Sequence, residues 1–365
     1  MIFVVWSMDG LEMKVELSDL LNIYDTYIRN NCKNKRKILN YEKKKMIHLY
    51  NLYDNFNSNK YVMGNYNIFM IRYPKHRIVM SLNISDKIIN HYVTMKCIIP
   101  SLEKYLDNRN IATRTGFGND YGIKLLKKYL EINKKYDKFY ILKLDIKKYF
   151  YNIDHETLIS MLKDKIDDEV FPLVCDIINS TDKEYINEKI NLIKNTELEN
   201  NYNEEIANLP TYKKGKGLPI GNMTSQFFAI FYLNALDHYI IHDLHLKYYI
   251  RYMDDFLIIH HDKKYLDKCK KIIEEKLNKE YKLELNRKSK IYSSDEGFDF
   301  LGYNFKVYHK QNIVNISRKS YYSIKRNILS GDKLLNDFNR YSNYDNSFKY
   351  TNDNCVKSIL YNYYD

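Results

Sequence analysis

Three carboxylates stand where strongly apolar runs of this chain end. Asp254 and Asp255 are adjacent, in Tyr252-Met253-Asp254-Asp255, between Tyr248-Tyr249-Ile250-Arg251 and Phe256-Leu257-Ile258-Ile259. Two strand-like runs around so short a break predict a β-hairpin with both carboxylates at its tip. Side chains alternate along a strand, so neighbouring Asp residues normally face opposite ways; a tight turn lets both approach one site. Adjacent carboxylates repel each other, and a hard divalent cation with oxygen ligands supplies the compensating charge; Mg²⁺ takes one or two carboxylates together with substrate phosphates. An Asp-Asp pair alone also suits a solvated turn. What favours a metal site is Asp145, which closes a third apolar run, Tyr140-Ile141-Leu142-Lys143-Leu144. Three carboxylates at the ends of strands can hold two Mg²⁺ ions, with Mn²⁺ as a substitute, for in-line phosphoryl or nucleotidyl transfer.

The elements that must position these residues follow from pattern. Gly217-Leu218-Pro219-Ile220-Gly221-Asn222-Met223-Thr224-Ser225-Gln226 is a Gly-bearing turn feeding an apolar helical stretch, Phe227 to Ile241. Such a turn lets backbone approach a ligand closely, or is simply a turn. Residues 122–136 have helical periodicity and lead into the strand that ends at Asp145. Residues 155–178 read as two helices, and 263–279 as one helix after the hairpin. Residues 181–206 hold seven acidic and three basic residues and read as a surface insertion. The first ~70 residues read as helical. Within them, Arg29 to Lys45 carries eight Lys or Arg against Glu42 alone, either a solvated face or a phosphate-contacting one. A basic helix capped by Ser317 begins with Arg318-Lys319-Ser320 and reaches Lys325-Arg326.

In this order the motifs resemble those of the reverse transcriptases. Asp145 with Phe150 is similar to the first palm motif, Gly217–Gln226 to the second, and Tyr252–Asp255 to the family's Tyr-x-Asp-Asp. Asn286-Arg287-Lys288-Ser289 resembles its Asn-x-Lys-Thr segment, and Phe300-Leu301-Gly302-Tyr303 its Phe-Leu-Gly-Tyr strand. Upstream, Pro74-Lys75-His76-Arg77-Ile78 resembles the basic fingers motif, Asp86–His91 the helix after it, and Thr113-Arg114-Thr115-Gly116-Phe117-Gly118 the turn before the palm. The resemblance spans residues 70–305, and a joint match is far less probable by chance than any one motif.

The resemblance implies an α+β right-hand polymerase: fingers over 1–137, a palm of small antiparallel sheet backed by helices over 138–305 with a polar insertion at 181–212, and a thumb-like helical segment over 306–365. It implies that Asp145, Asp254 and Asp255, with the Ile146 carbonyl, ligate two Mg²⁺ ions. Phe150 takes the position that excludes a 2′-OH, so dNTPs are preferred. Lys75 and Arg77 face the triphosphate, and Lys288 protonates the leaving group or pairs with phosphate. Ile220, Gly221 and Gln226 shape the nucleotide pocket. Arg114, Arg318, Lys319, Lys325 and Arg326 face nucleic acid. The expected partners are template RNA, a DNA primer or cDNA, and dNTPs. Ile220-Gly221-Asn222 with Ser225-Gln226, in place of Gln-Gly and Ser-Pro, resembles the enzymes of diversity-generating retroelements, which copy RNA with errors at adenine and use a small basic accessory protein. Met253 departs from the Val or Ala of many such enzymes. Defence-associated reverse transcriptases working with a noncoding RNA are the alternative, with template-independent synthesis or a polymerase-derived binding scaffold further options.

Composition agrees. The 365 residues suffice for several subdomains with a sizeable core. Lys and Arg number 58 against 46 acidic residues, a net charge of +12, which suits a polyphosphate partner. Abundant Lys, Asn, Ile and Tyr also suggest an AT-rich genome, so local clusters carry more meaning than the total. The five Cys are scattered, which argues against a zinc module or disulfide framework and fits a reducing cytoplasm. No run approaches the ~18 apolar residues of a membrane span. Ile2–Trp6 is apolar but short and lacks a basic flank, so it reads as a packing segment or edge strand rather than a signal peptide.

Overall fold

The structure, a computed structural model, describes residues 14–32, 34–72, 75–200 and 203–320. These fall into two compact units, one from 14–106 and 148–232, the other from 107–147 and 233–320.

The first unit is mostly helical. Its N-terminal helix, Leu17–Ile23, runs on as a π-helical turn, Tyr24–Arg29, and is followed by helices Lys35–Glu42 and Lys45–Asn57. Strands β1 (Asn67–Ile71) and β2 (Arg77–Ser81) form an antiparallel pair. Asn83 then accepts a hydrogen bond from the Asp86 N–H and starts helix Ile84–Val93. Helices His155–Leu162 and Phe171–Asn179 are the pair expected from residues 155–178. The polar insertion carries a 17-residue helix, Glu184–Asn200, which fixes itself by burying Ile186 and Ile190 completely. Helix Met223–Tyr232 is buried almost all round, as its apolar run requires, and its buried Thr224 hydroxyl meets Thr94 Oγ1 at 2.7 Å.

The second unit holds the sheet that matters for chemistry. Strands β3 (Tyr140–Asp145), β4 (Tyr248–Tyr252), β5 (Asp255–His260) and β6 (Lys290–Ser293) form an antiparallel sheet in the order β4-β5-β3-β6. Ile141, Leu142, Leu144, Phe256, Leu257 and Ile258 are fully buried, so β3 and β5 are covered on both faces; this is why they read as continuous apolar runs rather than alternating ones. Helix Asn119–Asn133 and the three-stranded sheet β7 (Phe298–Phe300), β8 (Tyr303–Tyr308) and β9 (Gln311–Ile316) share a core with Ile141, Ile250, Leu257 and Ile259. Helix Lys263–Tyr281 packs along β3 and β6, capped by Asp262, which accepts from the Lys264 and Tyr265 N–H groups. The fold is α+β with small antiparallel sheets, as the sequence implied. No described helix is long and apolar enough to cross a membrane.

Candidate active site

The strand register brings the three carboxylates together. Tyr252 pairs with Asp255 across the hairpin, leaving Met253 and Asp254 as a two-residue turn, and Asp255 pairs in turn with Asp145 on β3. The turn is held further by the Ile146 N–H, which donates to the Asp254 carbonyl at 3.3 Å. Met253 sits at φ +57°, at the first central position of the turn, where hairpins of this length favour Gly. A side chain there costs on the order of 1–3 kcal/mol.

A buried charge network offsets that strain. The Arg251 guanidinium, fully buried, donates from Nη1 to the Met253 carbonyl at 2.9 Å. Its Nε and Nη2 donate to the two oxygens of Asp237, also fully buried, at 2.7 and 2.6 Å. The Tyr249 hydroxyl donates to the same carboxylate. Arg251 is thus fixed by a two-pronged ion pair and uses its remaining arm on the turn. Its backbone also pairs outward, the Arg251 N–H with the Arg109 carbonyl and the Ile111 N–H with the Arg251 carbonyl, which covers the outer edge of β4. Arg114, expected to face nucleic acid, directs Nη1 to the Asp107 and Asn110 carbonyls at 2.8 and 2.9 Å and so braces that covering segment.

Asp145 is bracketed from the other side. Its carbonyl accepts from the Asn286 N–H at 2.7 Å, and its N–H donates to the Ser289 hydroxyl at 3.0 Å. Lys288 lies beside this bracket and is exposed. Asp255 carries the electrostatic record of the cluster: burial pushes its carboxyl up to about 6, Lys143 pulls it down, and Asp145 and Asp254 add to the rise. Lys143 Nζ stands 3.3 Å from Asp255 and also meets the Asp299 carbonyl.

In the first unit, Ile220 and Gly221 are pinned to β2. The Met80 N–H donates to the Ile220 carbonyl at 2.7 Å, and Gly221, at φ +121°, has no room for a Cβ, which would stand 2.8 Å from the Met80 carbonyl oxygen. At the other end of the turn, the Gly217 and Leu218 N–H groups donate to the carbonyls of Ile153 and Phe150 at 2.7 Å each. Phe150 is half-buried, Arg77 is exposed at the start of β2 and lies close enough to Tyr151 to act on its hydroxyl, and Lys75 and Gln226 are exposed. The structure therefore gathers Phe150, Ile220, Gly221 and Arg77 around one turn. At the same turn the buried His155 brings its Nε2 to 2.7 Å from the Gly217 carbonyl.

A family model described as reverse transcriptase (RNA-dependent DNA polymerase) matches residues 72–305, more than half the chain. The chain belongs to the reverse transcriptase family. Among solved structures it is similar to apo telomerase from Candida tropicalis truncated from its C-terminal domain, at 14% identity and a TM-score of 0.47, over 70% of this chain and 56% of that one. It is likewise similar to the apo telomerase from the same organism, at 14% identity and a TM-score of 0.46, over 71% of this chain and 48% of that one. The chain thus spans about half the length of these telomerases. No curated protein sequence matches it.

Reverse transcriptases generally use divalent cations, and the donor set here fits that requirement. Among the described residues no three His, Cys, Asp or Glu side chains close around a common point. Yet Asp255 Oδ1 is buried with no hydrogen-bond partner, and at Asp255 the charge of Lys143 opposes the rise that Asp145 and Asp254 add. An extended residue turns its own N–H and C=O to the same side, so the Ile146 carbonyl faces the hairpin tip that its N–H binds. These are hard oxygen donors around an excess of negative charge. Of the thumb-like residues, Arg318 and Lys319 are exposed, while Lys325 and Arg326 lie outside the described residues. Sequence reasoning did not single out Asp237, Lys143, or a bridging role for Ser289; the only signal was a lone Asp in an apolar helical run, a lone Lys in an apolar strand and the place of Ser289 in the Asn-x-Lys-Thr-like segment.

Proposed function

We propose that this chain is a Mg²⁺-dependent RNA-directed DNA polymerase that copies a template RNA into cDNA. The observation that carries the reading is the register that sets Asp145, Asp254 and Asp255 at one end of β3 and β5. Two bound divalent cations would activate the attacking 3′-oxygen and stabilise the leaving pyrophosphate. Asp145 and Asp254 would hold them, with Asp255 and the Ile146 carbonyl in support. The chain's own residues do the rest. Phe150, five positions beyond Asp145, packs under the sugar and excludes a 2′-OH. Lys75 and Arg77 bind the triphosphate, where charge develops as pyrophosphate leaves. Lys288, beside the Ser289 bracket, protonates pyrophosphate or pairs with it. Gln226 completes the pocket that Ile220 and Gly221 shape. Arg114, Arg318, Lys319, Lys325 and Arg326 hold the nucleic acid, the last four within a thumb at 306–365 that follows fingers at 1–137 and a palm at 138–305. Among the described residues Cys32, Cys97, Cys175 and Cys269 form no disulfide, which supports a cytoplasmic setting.

The error-prone, diversity-generating reading rests on Ile220-Gly221-Asn222 and Ser225-Gln226, and brings with it a small basic accessory protein as partner. A defence role with a noncoding RNA is the alternative that a fidelity measurement separates. The polymerase reading itself is tested by Asp254→Asn, which removes a charge without changing shape. Primer extension on an RNA template with Mg²⁺ should vanish in this variant and in the parent chain treated with a chelator. Near-normal extension by Asp254→Asn sinks the assignment.

A further inference from the structure

The first unit contains a cavity of about 180 Å³ beside the Gly221–Met223 turn, and of the residues assigned above to the nucleotide Gly221 alone lines it. It lies among the N-terminal helix, helix Ile84–Val93 and the turn itself. Lys37, Lys87, His91, Tyr27 and Asn90 line it, and no Asp or Glu among the described residues does. Among the described residues neither lysine makes an ion pair, although the acidic residues of the neighbouring helices do: Asp25 pairs with Lys45, Glu42 with Arg29 and Asp19 with Lys96. Asn90 is 4% exposed and its Nδ2 is a buried donor with no partner. Burial, reinforced by Lys37, lowers the pKa of Lys87. A buried amide donor left unmet is destabilising, so the site gains when an acceptor enters it.

Those features select a ligand. Two ammonium groups, an orphan amide donor and no carboxylate repel cations and suit an oxyanion. Water fits the volume, at ~30 Å³ per molecule, but supplies no counter-charge to the half-buried Lys87. At the rim, Tyr27 is 37% exposed on the π-helical turn, its ring 6.1 Å from that of His91, and offers a face for a base next to the charged interior. Widened helical turns of this kind occur often at functional sites.

We infer that this cavity binds a phosphate group of an RNA strand, with Lys37, Lys87 and Asn90 as its donors and Tyr27 as the platform for the adjoining base. The inference rests on the reading of the chain as an enzyme that copies RNA, and it gives the basic run Arg29–Lys45 a specific task. It is tested on the full chain by fluorescence anisotropy with a short labelled single-stranded RNA, without dNTPs, over a range of salt concentrations. Binding is read without extension, so the result stands apart from whether the chain polymerises. Each phosphate contact contributes about −0.7 to the slope of log K against log salt for single strands. Lys37→Glu, at an exposed position, and Lys87→Gln should each weaken binding several-fold at low salt and lower the slope by about 0.7. Lys87→Arg should restore the slope. Tyr27→Ala should weaken binding without altering the slope. Unchanged slopes in both lysine variants overturn the site. A rise in the KM for dTTP with RNA affinity unaltered assigns the phosphate to the nucleotide and overturns the strand assignment.

Discussion

Breaking the Arg251–Asp237 pair should disable the hairpin in two separable ways. Both side chains are fully buried, and the pair is two-pronged at 2.7 and 2.6 Å. Asp237→Asn keeps the shape but leaves the Arg251 charge without its counter-ion. Removing one partner of a buried pair costs about 3–5 kcal/mol, or roughly 10–15 °C in Tm at about 3 °C per kcal/mol. Replacing Arg251→Met together with Asp237→Leu and Tyr249→Phe removes both charges and the hydroxyl and leaves of the network only the Asn110 amide, whose 3.5 Å bond to Asp237 is weak, and such apolar replacements are often neutral or better. Stability should then return to within about 2 kcal/mol of the parent. The Met253 carbonyl still lacks its donor, however, and a hydrogen bond to a charged group contributes about 1.5–3 kcal/mol. That is comparable to the strain of Met253 at φ +57°, so the turn that carries Asp254 loses its conformational bias. At about 1.4 kcal/mol per tenfold, kcat for dTTP incorporation should fall on the order of 10- to 100-fold while the thermal transition looks nearly normal. Thermal denaturation alongside single-turnover incorporation measures both. The reasoning is refuted if Asp237→Asn shifts stability by less than about 1 kcal/mol, or if the triple variant regains kcat together with Tm.

Other perturbations address specificity and positioning. Phe150→Val should raise rNTP incorporation relative to dNTP by about tenfold or more, and an unchanged ratio would show that Phe150 is not the sugar gate. Ser289→Ala removes the hydroxyl that meets the Asp145 N–H and should lower kcat several-fold with the KM for dNTP little altered; a change in KM alone would place Ser289 elsewhere in the cycle. Ile220→Gln adds an amide near the incoming pair, where Ile supplies only an apolar surface, and the Ile220 backbone is already fixed by Met80. Sequencing of products should show fewer errors opposite adenine in this variant than in the parent; a parent without elevated errors at adenine favours the defence reading.

Local pattern made much of the site legible. Apolar runs broken by the four residues Tyr252–Asp255 predicted the hairpin, and the observed strands, Tyr248–Tyr252 and Asp255–His260, extend into that gap and leave a two-residue turn. The run closed by Asp145 is the strand Tyr140–Asp145, and residues 263–279 are the core of helix Lys263–Tyr281. The Ser317 cap is present, donor and acceptor in place, with the Ser320 N–H bonded to its hydroxyl at 3.2 Å. The family model begins and ends at residues 72 and 305, where the motifs also begin and end. The polar insertion was harder to read as structure, because Ile186 and Ile190 hold its helix down with only two fully buried side chains among many charges. Ile2–Trp6 and the continuation of the C-terminal helix lie outside the described residues.

What the sequence concealed was partnership across distance. Asp237 lies in an apolar stretch, fourteen residues before Arg251, and nothing local distinguishes it from a helix-surface acid. Only the fold makes it a buried counter-ion, because helix Asn234–His238 sets its carboxylate against Arg251 in the strand that runs beside Asn110. A charge can be this deeply buried only where a partner is certain to be present, since an unpaired one costs several kcal/mol. The sheet supplies that certainty. Arg251 is fixed by backbone hydrogen bonds on both sides, so its guanidinium has few places to go, and the carboxylate waiting there is held in turn by Tyr249. The carboxylates at the hairpin tip are conspicuous because they share a turn. The groups that hold that turn in an unfavourable conformation are distributed over three segments, and they become one structure only when the strands pair.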